Sequence, residues 1–278
     1  MTTKFDEIGY WSEIKLDIIN QYAQAYSQIL SNQKNPKFHH VYIDAFAGSG
    51  KHISRKTGEL VSGSPEIALK IDPPFKEYYF IDIDGAKVAE LKKLVSNRID
   101  TNVLEGDCNE RLLNDVFPKV AYKDYKRAFC LLDPYGLDLD WAVIYKSGQM
   151  KSIEILLNFP VMDMNRNAIW INPENVKPSL LKRMNLFWGD DSWQKVAYAQ
   201  QLDFNGKIKL RKLRNEVIAQ AFKKRLKEVA RFAYVSQPLP MRNSNNAIIY
   251  YLFHACQKPV AEKIIKDIFT KYRNWGIK

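Results

Sequence analysis

The chain has 278 residues, 46% of them apolar, enough for one sizeable core but short of two full domains. Its 42 Lys and Arg against 31 Asp and Glu leave a net charge of +11, which favours polyanionic partners without excluding others. No apolar run approaches the roughly 20 residues of a membrane span, and the N-terminus has no signal-peptide core. Cys108, Cys130 and Cys256 form no CxxC pair, so the expectation is a cytoplasmic protein with reduced thiols and no metal site.

Apolar side chains at Ile14, Ile18, Ile19, Tyr22, Ala25, Tyr26, Ile29 and Leu30 recur mostly three or four apart, which predicts an amphipathic helix in an N-terminal segment, 1–36. "HHVYIDAF" reads as a first strand ending in Asp44. "GSPEIALKI" starts a helix, with Ser64 as N-cap and Pro65 at the first helical position. "EYYFIDID", "TNVLEGD", "RAFCLLD" and "IEILLNF" read as further strands separated by helices. This alternation predicts a parallel sheet over 37–160 with function at the carboxyl ends of its strands.

Over 161–230 the pattern turns to helices, aromatics and a basic run. "RFAYVSQ" and "NAIIYYLFHAC" then read as a closing antiparallel pair before a last helix, so that 231–278 completes the core. The expected fold is α/β and Rossmann-like: a seven-stranded, mostly parallel sheet with a helical insertion before its last two strands.

The first strand runs into "DAFAGSG", a turn in which glycine lets the backbone approach a ligand closely. It fits neither GxGxxG nor a P-loop. It resembles motif I of class I S-adenosylmethionine-dependent methyltransferases, which implies cofactor-binding roles for Asp44, Phe46, Gly48, Ser49 and Gly50. Asp82, 38 residues on at the second strand end, carries a carboxylate suited to two ribose hydroxyls. The same resemblance implies that Asp107, at the third strand end, accepts from an adenine amine, with the Cys108 N–H beside it.

Two stretches compete for the reacting centre. "DPPF", Asp72 to Phe75, fits the Asp-Pro-Pro-aromatic signature of amino-methylating enzymes, but it precedes the second strand and so falls at the edge opposite motif I. Two prolines there read as a rigid turn. "DPYG" follows the fourth strand, at the correct edge. On that resemblance Asp133 and the Pro134 carbonyl would hold an amine and Tyr135 would stack on an extruded base. The alternative is that Asp133 only orients the cofactor or caps a helix. Asn158, Phe159 and Pro160 close the fifth strand at the same edge and are candidates for the substrate side, or simply a strand-terminating turn.

The run from Gly206 to Arg231 holds ten Lys or Arg, with Leu210, Leu213, Val217, Ala221 and Phe222 at helical spacing and Trp170, Phe187, Trp188 and Trp193 upstream. Nucleic-acid contact, a protein interface, and a solvated helix over an aromatic mini-core all fit it.

Taken together, "YIDAFAGSG … GSPEIAL … YYFIDID … LLDPYGLDLDW … FWGDDSW" resembles the three-Cys-motif partner proteins, from about Trp11 to the last strand. The resemblance implies a bacterial class I methyltransferase-type domain using S-adenosyl-L-methionine. It also implies a separately encoded partner bearing the three cysteines, in settings linked to mobile elements and defence. Cys108, Cys130 and Cys256 inherit no role from it. The expected activity is methyl transfer to an amino group of a nucleic-acid base. The rival is a catalytically silent, cofactor-binding regulatory subunit, and transfer to protein or small molecules is a third reading.

Overall fold

The computed structural model describes residues 5–202 and 208–273. The ends of the first and last expected segments, and Gly206 and Lys207 of the basic run, lie outside the described residues. A two-residue strand, β1 (Glu7–Ile8), leads into the long helix α1 (Tyr10–Ser31). Next come β2 (His39–Asp44), the hairpin strands β3 (Lys51–Ser54) and β4 (Leu60–Ser62), and α2 (Ser64–Leu69). Then follow β5 (Glu77–Asp82), α3 (Gly85–Leu94), β6 (Thr101–Glu105) and the short α4 (Cys108–Glu110). β7 (Lys126–Leu132), α5 (Trp141–Met150) and β8 (Ile153–Phe159) complete the alternation.

The insertion contains α6 (Val161–Asn167), α7 (Pro178–Trp188), α8 (Trp193–Ala197), β9 (Tyr198–Leu202), β10 (Ile208–Lys212) and α9 (Asn215–Glu228). The chain closes with β11 (Tyr234–Val235), β12 (Leu239–Arg242), β13 (Ile248–Cys256) and α10 (Pro259–Tyr272).

The main sheet runs β11-β13-β8-β7-β2-β5-β6, with β12 also paired to β13. β6, β5, β2, β7 and β8 are parallel and β13 is antiparallel to β8. This is a Rossmann-like α/β arrangement with one reversed strand, β13. It has eight strands instead of the expected seven. The additional strand is β12, which lies beyond "RFAYVSQ" in a segment that carries Pro238 and Pro240, residues that lack an N–H. Such prolines are tolerated because the short β11 and β12 pair only with β13 at the sheet's edge.

Side-chain alternation along each strand sends alternate residues to two cores. Val41, Ile43, Ile81, Cys130, Leu132 and Leu157 join one face, under α5 and α9. Tyr42, Tyr78, Phe80, Phe129 and Leu156 join the other, under α1 and α10. α1 contributes Leu16, Ile18, Ile19, Tyr22 and Tyr26 to that second core. Among the described residues no helix is long and apolar enough to cross a membrane.

The basic run differs from the single helix its spacing predicts. Ile208–Lys212 pairs antiparallel with Tyr198–Leu202, leaving Leu210 and Val217 exposed. The buried stripe of α9 is Ile218, Ala219, Phe222 and Leu226. Phe222 packs against Trp141, Phe159, Phe187, Trp188 and Phe253. Phe187, Trp188 and Trp193 are buried in the core, whereas Trp170 is half-buried and donates to the Arg166 carbonyl at 2.8 Å. The three buried rings form a core. They are not a stacking platform for bases.

Candidate functional site

The β/α alternation brings Asp44, Asp82, Asp107 and Asp133 to one edge of the sheet, because each directly ends or follows a parallel strand. Asp44 is fully buried. One oxygen accepts from the Phe46 N–H at 3.3 Å, whereas Oδ2 is buried with no hydrogen-bond partner. Burial pushes its carboxyl up to about 7, against the pull of the neighbouring Ser64 side chain; the charges of Asp133 and Asp82 add to the rise.

Gly48 and Gly50 have φ of +64° and +84°, the left-handed region that favours glycine. A side chain at Gly50 would strike Leu94, whereas nothing lies within 4 Å of where one would project from Gly48. The turn thus packs on α3 through one glycine and opens to free space through the other.

Asp82 ties this turn to the next strand end. One of its oxygens accepts from the Gly48 N–H at 2.8 Å and the other from the Asp84 N–H at 2.9 Å. Each oxygen keeps a lone pair for a further donor. The Ser49 hydroxyl donates to the Lys51 carbonyl at 3.1 Å, and Phe46 is half-buried against the core. Beyond Asp82 stands Ile83, 74% exposed, an apolar side chain that sequence reasoning passes over. Asp107 caps α4, Oδ1 accepting from the Asn109 and Glu110 N–H groups. A cleft of about 540 Å³ separates it from Asp138 and Asp140. The Cys108 thiol is buried, which pushes its pKa up to about 12.

The DPYG turn lies at the mouth of a second cavity, of about 510 Å³. The Asn158 side-chain amide donates to Asp133 Oδ1 at 2.9 Å and to the Pro134 carbonyl at 3.3 Å. The Lys15 ammonium, on α1, holds the other oxygen of Asp133. Tyr135 is 77% exposed, with the Lys87 ammonium 5.9 Å from its ring centre. Trp11 and Tyr250 line the same cavity.

The structure thus brings together Asp133, Pro134, Tyr135 and Asn158. It does not bring Phe159 to the cavity, because this side chain is fully buried between Phe187, Phe222 and Phe253. Pro160 is likewise buried, at the start of α6. The loop after Gly50 forms the β3–β4 hairpin, which pairs with β1 and carries the N-terminal arm to the cavity. There Lys87 meets Asp6 at 2.6 Å and Arg55 meets Glu7 at 3.6 Å. Lys15, Trp11 and Tyr250 come from distant segments and carry no local signal of function.

No protein-family model matches the chain, and no curated protein matches it. Among solved structures it is similar to a protein from Legionella pneumophila of the DUF519 family, at 12% identity and a TM-score of 0.49, covering 94% of this chain and 93% of that one. It is also similar to a protein from Thermobifida fusca described as a candidate methyltransferase, at 11% identity and a TM-score of 0.45, covering 89% and 80%. A third is a dimethyladenosine transferase from Plasmodium falciparum, at 14% identity and a TM-score of 0.37, covering 89% and 62%. Likeness of chain path at such identity transfers no chemistry.

Proposed function

We propose that the chain is an S-adenosylmethionine-dependent methyltransferase acting on an amino group of a nucleic-acid base. The observation that carries this reading is the convergence of the Asp133 carboxylate and the Pro134 carbonyl on one nitrogen, that of Asn158, at the same sheet edge as the Gly48 turn.

The residues present fit the cofactor. The unpartnered, buried Asp44 Oδ2 suits its ammonium, the open space over Gly48 admits its methionine portion, and Asp82 keeps lone pairs for ribose hydroxyls. Ile83 offers an apolar face to adenine and Asp107 an acceptor for the amine. When bound, the cofactor supplies an electrophilic methyl group on a sulfonium. The protein's part is orientation: two acceptors take the two hydrogens of an amine and leave its lone pair directed outward. Tyr135, exposed at the cavity mouth, presents a face for a planar ring. The net charge of +11 supports a polyanionic substrate. A three-cysteine-motif protein as partner rests on the sequence resemblance alone.

A second reading, a cofactor-binding subunit without transfer activity, draws on one observation: Lys15 and Asn158 already take both oxygens of Asp133. Calorimetry with S-adenosylmethionine tests the common premise. Binding that Asp82→Ala weakens about tenfold or more is expected from losing a charged acceptor. No binding, or a variant indistinguishable from wild type, sinks both readings. Tritiated cofactor supplied with mixed DNA and RNA, with and without the partner, then separates them: labelled polymer supports the enzyme, and binding without transfer supports the subunit.

A further inference from the structure

The position of Asn158 goes beyond a residue lining the substrate side. Its Nδ2 donates to Asp133 Oδ1 at 2.9 Å and to the Pro134 carbonyl at 3.3 Å. Chemistry fixes which end of the amide faces this pair: two acceptors demand an NH2 group, and a carbonyl oxygen there would be repelled by both. A planar, sp2-bonded NH2 with both hydrogens engaged is also the form of the exocyclic amine of adenine or cytosine. We infer that Asn158 is an internal occupant of the amine seat. Its carboxamide fills the position of a substrate's amino group and must leave before that group can enter.

Two further observations support displacement over a permanent brace. The other end of the same amide, Oδ1, is buried and has no hydrogen-bond partner. A buried unpaired acceptor is unfavourable, so the resting position is held from one end only, and turning the amide into the cavity, whose lining includes the donors Lys15, Arg55 and Lys87, relieves it. The seat also opens on space: the 510 Å³ cavity is bounded by Asp133, Pro134, Tyr135 and Asn158 themselves, with Trp11 and Tyr250 opposite. An entering base would exchange its amine for the Asn158 amide on the same two acceptors. Lys15 on the second oxygen of Asp133 holds the carboxylate in place during the exchange. Asn158 is therefore a positioning residue that sets a selectivity: a ring bearing NH2 competes for the seat, and the same ring without it does not.

This inference rests on the amine-seat reading of Asp133 and Pro134, and its test is a binding measurement independent of methyl transfer. Adenosine and cytidine 5′-monophosphates are titrated into the full chain saturated with S-adenosylhomocysteine. Each is compared with its analogue carrying hydrogen in place of the exocyclic amine. At least one amino nucleotide is expected to bind more tightly than its analogue. Asn158→Ala, which empties the seat, is expected to widen that preference about tenfold, the equivalent of one good hydrogen bond to a charged acceptor. Asp133→Ala is expected to erase it.

Asn158→Ser, whose single hydroxyl can serve only one acceptor, is expected to fall between wild type and alanine, and it carries the test should the alanine variant melt early. The inference is overturned by equal affinity for amino and hydrogen analogues, or by an Asn158 variant that leaves the preference unchanged or weakens both ligands alike. Titration of S-adenosylhomocysteine into the same preparations keeps the two ideas apart. Cofactor binding without an amine preference sinks the seat alone, and an amine preference without cofactor binding sinks methyl transfer alone.

Discussion

Two turns of nearly the same composition sit at opposite edges of one sheet. Asp72-Pro73-Pro74-Phe75 precedes β5, and Asp133-Pro134-Tyr135-Gly136 follows β7. At the first, Gln24 of α1 donates to the Asp72 carbonyl and Ser27 donates to the Pro73 carbonyl. Phe75 is 1% exposed, packed among Tyr26, His40, Tyr42 and Tyr78. At the second, the backbone carbonyl of Pro134 is met by a polar side chain from the neighbouring strand, and the aromatic ring points into solvent. The same aromatic class serves as a core anchor at one edge and as an available face at the other. What differs is the end of the strand, because only the carboxyl end is left uncovered by the helix that follows a parallel strand.

The largest effect that would break this contrast is on stability. Phe75→Ala removes a ring from a filled cluster and is expected to destabilise by about 3–5 kcal/mol in urea unfolding. Tyr135→Ala is expected to stay within about 0.5 kcal/mol of wild type, as exposed substitutions do, while losing affinity for single-stranded nucleic acid. A stable Phe75→Ala protein, or a Tyr135→Ala protein that unfolds, would erase the distinction between anchor and face.

Next in size is the effect on transfer. Asp133→Ala removes one of the two acceptors that orient the amine, and the rate of label transfer is expected to drop about 10²- to 10³-fold. Asp72→Ala keeps the backbone groups through which Asp72 meets Gln24, and it is expected to transfer within about twofold of wild type. Equal losses at both aspartates would mean that the edge of the sheet does not decide the role.

Much of this site is legible in the sequence, because a β/α alternation dictates where strands end. Asp44, Asp82, Asp107 and Asp133 follow from that alone, as does the demotion of DPPF. What is hidden depends on contacts between remote segments. Lys15 meets Asp133 across 118 positions, and nothing near Lys15 marks it. Phe159 shares the strand end with Asn158, yet strand alternation turns it into the aromatic core. The β9–β10 pair escaped because the cations of "IKLRK" mask a period of two, and α9 supplies the helical spacing nearby. Ile83 carries its signal only as exposure, which needs a structure to see.

The smallest expected effect is on pH dependence, where the two edges differ in sign. At the amino edge burial also acts against Glu77, but the Tyr79 hydroxyl at 2.5 Å and the Lys126 ammonium at 3.0 Å hold its carboxyl below the usual range. Its contribution to stability is therefore present above the unfolded pKa and lost as pH falls through the folded one. At the carboxyl edge Asp44 is pushed up to about 7, above its unfolded value near 4. The folded state then binds the extra proton, so the contribution is complete below about pH 4 and is lost as pH rises towards 7.

Urea midpoints measured from pH 4 to pH 8 separate the two. Asp44→Asn, whose amide has no charge to desolvate, is expected to gain stability at pH 8 relative to pH 4. Glu77→Gln is expected to lose under about 1 kcal/mol at pH 8, the size of a half-exposed, screened pair, and less at pH 4. A cation bound against Asp44 stabilises its ionised form. Saturating S-adenosylmethionine is therefore expected to flatten the wild-type decline between pH 5 and pH 7 and to leave the Glu77 contribution as it was. A decline that the cofactor does not touch would remove Asp44 from the binding site and make it an ordinary buried acid.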